Sequence, residues 1–88
     1  MSITVIISHE VKDFDLWKEG FDANESARAS LGMKAKPYRK LDSPNTIYVI
    51  GEAPSREVFE KMFFNPNMAE VRKAAGVISE PIVTLLEG

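Results

Sequence analysis

Apolar and polar positions set the elements of this chain. Residues 2–9, S-I-T-V-I-I-S-H, are rich in β-branched side chains and predict a first strand. The spacing then becomes helical. Asp13 is a good N-cap, and Phe14, Trp17, Phe21, Asn24, Arg28 and Leu31 fall in one stripe. One helix is therefore expected over residues 14–31, with Gly32 as its C′ residue. M-K-A-K-P-Y-R-K (33–40) predicts a second strand, D-S-P-N (42–45) a turn, and T-I-Y-V-I-G-E (46–52) a third strand in a hairpin with the second. Ser55 caps a helix over 56–63. Asn65-Pro66 restarts the chain as another short helix to about Ala75, because proline is pre-organised for the first helical position. Gly76 stops it, and P-I-V-T-L-L-E (81–87) predicts the last strand. No repeat, linker or low-complexity segment is apparent.

The order is β-α-β-β-α-β over a single domain, residues 1–88. Right-handed crossovers and the hairpin favour a ferredoxin-like α+β fold, with a four-stranded antiparallel sheet ordered 4-1-3-2 and helices on one face. Proline placement fits. Pro37 lies in strand 2 and Pro81 opens strand 4, the two edges, where a missing ladder donor is tolerated.

The sheet is apolar on both faces. Ile3, Val5 and Ile7 share one face with His9, and that set should lie under the helices. Ile6, Tyr48 and Ile50 point the other way. A large bare apolar face is unusual on a soluble monomer. The economical cover is a second copy, giving a homodimer through the open sheet face.

Composition narrows the function. The net charge of −2 argues against a nucleic-acid binder. The absence of cysteine removes thiolate chemistry and fits a cytoplasmic setting. No apolar run is long enough for a membrane span, and the first residues lack the pattern of a signal peptide. One histidine makes a metal site weak, and no serine sits in a nucleophile elbow. The carboxylates of Asp15, Glu19, Asp22 and Glu25 read as a solvated helix face rather than a cation site.

The candidate chemistry gathers around the first helix. Asn24 and Arg28 are polar, yet lie in the stripe that faces the sheet. Either they bond carbonyls near the helix end, or they line a partly wet cavity. Trp17 and Phe21 are core residues or the wall of a pocket. His9, at the end of strand 1, is a candidate proton acceptor or a strand-end residue bonded to a loop carbonyl. Tyr38 and Tyr48 offer phenols that could orient a ligand. Lys34, Lys36, Arg39 and Lys40 read as a charged edge strand, with anion attraction as the alternative. Phe59, Met62, Phe63, Phe64, Met68 and Val71 look like an apolar lid.

D-F-D-L-W-K-E-G-F-D with Arg28 and Leu31-Gly32, and F-F-N-P-N-M-A-E-V-R-K-A-A-G-V, resemble the dimeric α+β barrel superfamily, in particular its small bacterial antibiotic-biosynthesis-monooxygenase-like members. The resemblance implies the fold and the dimer. It points to a cofactor-independent monooxygenase-like or cyclase-like activity on a small aromatic or polyketide-like compound. Cyclase-like members use several histidines; here His9 stands alone. Haem is discounted, because Asn24, Trp17 and His9 occur in the wrong order. An RNA-recognition domain is excluded by the lack of strand-3 aromatics in its pattern. The expected site is His9 as catalytic base, with Trp17, Phe21, Asn24, Arg28, Tyr38 and Tyr48 binding substrate, and no cofactor or metal. The alternative is a non-catalytic ligand-binding or accessory dimer.

Overall fold

The β-branched run forms strand β1 (Ile3–Glu10) in the computed structural model, which describes residues 2–87. It is followed by helices α1 (Phe14–Ala23) and α2 (Glu25–Ser30), then strands β2 (Lys34–Lys40) and β3 (Ser43–Ala53). Helices α3 (Arg56–Phe63) and α4 (Pro66–Ala74) lead to strand β4 (Ile82–Leu86). The strands pair antiparallel in the order β2-β3-β1-β4, as the proline positions predict. Pro37 sits in the edge strand β2 opposite Val49, and Pro81 immediately precedes the other edge.

The caps form as expected. The Asp13 side chain accepts from the Leu16 N–H, and the Ser55 hydroxyl from the Val58 N–H. Asn65 caps α4 through the Asn67 N–H, with Pro66 at the first helical position.

Two expectations need correction. The helix over 14–31 is two helices, broken at Asn24. In an unbroken helix the Asn24 N–H would bond the Gly20 carbonyl. Here the Asn24 side-chain Nδ2 donates to that carbonyl at 3.1 Å, and the backbone N–H donates to the Phe21 carbonyl at 3.2 Å. A short polar side chain competing with its own backbone interrupts the ladder. The β2–β3 turn also lies earlier than 42–45. It is Leu41-Asp42, with Asp42 at φ 66°, a left-handed conformation that aspartate tolerates. Ser43, Pro44 and Asn45 belong to β3, where the pairing register shifts between Arg39 and Lys40. Freed carbonyls there find other donors: Arg39 Nε donates to the Pro44 carbonyl at 3.3 Å, and the Val11 N–H to that of Asn45 at 2.9 Å.

Strand alternation places Val5, Ile7 and His9 of β1 and Ile47 and Val49 of β3 on the buried face, against Trp17, Phe59 and Phe63 of the helices. The other face stays open. It exposes Tyr38, Ile50, Ile82 and Leu86, with Ile82 68% accessible. Among the described residues, no helix is long and apolar enough to cross a membrane.

Candidate functional site

Between the buried sheet face and the two broken helices lies a cavity of about 150 Å³. Its wall is almost wholly apolar. The floor comes from Val5, Ile7 and Val49, placed there by the two-residue period of β1 and β3. Helix α1 contributes Trp17 and Phe21, one helical turn apart, with rings stacked at 5.1 Å. The lid predicted from the second helical region forms from Phe59, Met62, Phe63, Met68 and Val71. Phe64 departs from it: 59% accessible, it caps α3 and turns outward.

His9, Trp17, Phe21, Asn24 and Arg28 all reach this cavity. His9 is 6% accessible, and the Trp17 ring meets it edge-on at 5.5 Å. Its Nδ1 is the one buried side-chain polar atom without a hydrogen-bond partner among the described residues. Of the two readings of His9, the strand-end histidine, partly exposed and bonded to a loop carbonyl, is the one that fails. Burial lowers the His9 pKa below its ordinary value; the Arg72 charge lowers it further, and its own backbone, too poorly aligned to be a hydrogen-bond partner, opposes both. The imidazole is neutral at pH 7, and a neutral imidazole both accepts and donates.

Asn24 and Arg28 satisfy both readings at once. Asn24 bonds the Gly20 carbonyl, and Arg28 Nη2 donates to the Phe21 carbonyl at 2.9 Å, so each serves the helix break. The guanidinium also lies 3.8 Å above the Phe21 ring centroid, at the cavity wall. Burial lowers the Arg28 pKa against the pull of Glu25 and Asp22, yet the group stays cationic at neutral pH.

Tyr38 and Tyr48 are not part of this constellation. They face each other across β2 and β3 on the open side of the sheet. The alternation that buries Ile47 and Val49 necessarily turns Tyr48 away, and the pairing carries Tyr38 with it. Arg39 also leaves the charged edge: its guanidinium stacks 4.1 Å over Phe14. Among the described residues, no three histidine, aspartate or glutamate side chains converge on a metal position.

The sequence reading missed Arg72. It lines the cavity from α4, donates Nη1 to the Phe63 carbonyl at 2.9 Å and lies 4.3 Å over the Phe63 ring. The signal was present. Met68, Arg72 and Ala75 share one helical stripe, and a cation in an apolar stripe is the anomaly that singled out Arg28.

No family model matches the sequence, and no curated protein matches it. Solved structures match it in fold. One is a protein of Bordetella bronchiseptica provisionally assigned as an antibiotic biosynthesis monooxygenase. It is 14% identical, with 99% of this chain and 96% of that chain covered, at a TM-score of 0.79. Another is SnoaB, a cofactor-independent oxygenase from Streptomyces nogalater. It is 15% identical, with 99% and 94% covered, at a TM-score of 0.73. A provisionally assigned monooxygenase from Lactobacillus acidophilus is 23% identical at a TM-score of 0.74; 98% of this chain covers only 44% of that one. The chain has the ferredoxin-like α+β fold of antibiotic-biosynthesis-monooxygenase-like proteins.

Proposed function

We propose that the protein binds a compact aromatic or polyketide-like molecule in the cavity and acts on it as a cofactor-independent, monooxygenase-like or cyclase-like enzyme. The observation that carries this reading is His9, buried beside Trp17 at the cavity with Nδ1 unpartnered. A buried polar atom without a partner costs stability, and a ligand group can supply the partner. His9 accepts a proton from the bound molecule. Arg28 and Arg72 stabilise the negative charge that this leaves behind. Trp17 and Phe21 hold the ring. The likeness to SnoaB, itself a cofactor-independent oxygenase, supports the class of chemistry.

The active unit is a homodimer closed over the open sheet face. Exposed Ile50, Ile82, Leu86 and Tyr38 make that face too apolar to leave in water. The Lactobacillus acidophilus chain, more than twice the length this fold needs, leaves room for a second unit on the same polypeptide. Sedimentation at micromolar concentration should give a dimer, and Ile50→Lys should shift it to monomer. A wild-type monomer under those conditions would end the dimer reading.

One observation favours a second, non-catalytic reading. Burial and Arg72 weaken His9 as a base, and a site that only binds needs no base. A thermal-shift screen with small aromatic compounds identifies a ligand for either reading. Turnover of that ligand, lost in His9→Ala with the fold retained, establishes the enzyme. Binding without turnover establishes the second reading.

A further inference from the structure

Arg28 and Arg72 are half-buried at an apolar cavity, and neither has a carboxylate within ion-pair distance among the described residues. Asp22 and Glu25 act on Arg28, and Glu80 on Arg72, only from farther away. Among the described residues each guanidinium makes one hydrogen bond, to a phenylalanine carbonyl, out of five possible donors. Desolvating a cation is costly unless an anion compensates it. Here the described residues supply aromatic rings and a carbonyl in contact, and carboxylates only from beyond ion-pair distance.

We propose that the cavity selects an anionic ligand, a single-ring aromatic acid, with the ring in the apolar space and the carboxylate on Arg72 beside His9. The inference rests on the reading of the cavity as an aromatic-binding site and adds its charge preference. Size sets the ring count: an apolar space of about 150 Å³ takes one benzene-sized ring. Charge sets the polar group. Two cations border the space, and the neutral imidazole contributes no charge of its own. Position favours Arg72 over Arg28, because Arg72 is close enough to act on His9, whose Nδ1 lacks a partner. A carboxylate there accepts from the guanidinium fork and from an imidazole N–H together.

The test compares benzoate with benzamide, its neutral isostere, by calorimetry on the whole chain at neutral pH. Benzoate should bind about tenfold more tightly, the margin of a charge-assisted over a neutral hydrogen bond. Raising the salt concentration should weaken benzoate alone. Arg72→Gln should lower benzoate affinity about tenfold and change benzamide by less than about twofold. The wild-type comparison stands even if that variant folds poorly. Equal binding of the two probes overturns the acid preference and leaves the aromatic-site reading intact. Binding of neither overturns both.

Discussion

The first half of the chain, β1-α1-α2-β2, and the second, β3-α3-α4-β4, solve the same problem with the same parts. Asp13 and Ser55 cap the two first helices; four residues on come Trp17 and Phe59, and eight residues on Phe21 and Phe63. These aromatic pairs stack at 5.1 and 5.2 Å. After each helix break an arginine reaches back to the carbonyl of the second aromatic, at 2.9 Å in both halves, and lies over its ring. Four residues beyond each arginine stands a glycine, Gly32 at φ 73° and Gly76 at φ 86°. The next N–H closes a Schellman turn, Met33 to Arg28 and Val77 to Arg72. The register makes the relation two-fold. Ile6 pairs with Ile50, and the pairs Ile3–Ala53 and Ile47–His9 exchange under an offset of 44 residues.

Where the halves differ is the informative part. His9 occupies the place that Ala53 holds in the second half, and both are buried, at 6% and 1% accessibility. Packing at that end of a strand is satisfied by a methyl group in one half. A polar ring with an unpartnered nitrogen in the other is therefore not explained by packing. The near-symmetry supplies an internal control, and the departure from it falls at the cavity.

The equivalence can be broken by substitution. Phe59→Ala should cost about 3–5 kcal/mol, and Trp17→Ala the same range, read from urea unfolding at constant m-value. A loss under about 1 kcal/mol in either would mean the two aromatics do not play matching roles.

Gly32→Ala and Gly76→Ala should each cost about 1–2 kcal/mol, because the left-handed conformation penalises a Cβ. The cost should be larger at Gly32. A Cβ there would meet Pro54 Cγ at 3.1 Å, against 3.6 Å to Lys12 Cβ at Gly76. The reverse order would show that the second half is the more tightly packed.

Acid sharpens the difference at His9. The unfolded chain titrates this histidine near 6.5, and the folded chain titrates it lower. Below the unfolded value the unfolded state holds more protons, so stability should fall as the pH drops from 6.5 toward the folded value. The slope from this one group is at most about 1.4 kcal/mol per pH unit. Above 6.5 the contribution is constant. His9→Ala makes the halves alike and should remove that part of the slope; an unchanged slope would assign the acid sensitivity elsewhere.

The smallest effect concerns the exposed helix faces. Lys18–Asp22 on α1 matches Arg56–Glu60 and Lys61–Glu57 on α3, all at i, i+4 spacing. Removing Lys18 or Lys61 should change stability by no more than about 0.5 kcal/mol in thermal unfolding.

Much of this was legible locally. Caps, glycine stops and β-branched runs act over a few residues, so Asp13, Ser55, Pro66, Gly32 and Gly76 announced their elements. The repeat was not apparent, because the offset between the halves changes. It is 42 residues from Trp17 to Phe59 and 44 from Arg28 to Arg72, since Arg72 follows Phe63 by nine residues and Arg28 follows Phe21 by seven. The helix break at Asn24 was hidden for a similar reason. Asparagine fits a helical stripe, and only geometry decides whether its amide displaces its own backbone.

The sequence by itself determined the order of elements, the edge strands and the face on which His9 lies, because periodicity and proline chemistry are properties of neighbouring residues. Tertiary structure alone decided that Arg72 and His9 border one cavity and that His9 Nδ1 is left there without a partner among the described residues. Those facts depend on which helix crosses which strand and at what depth. Depth sets how much water each charge keeps, and hence whether a cation or an imidazole is left waiting for a partner.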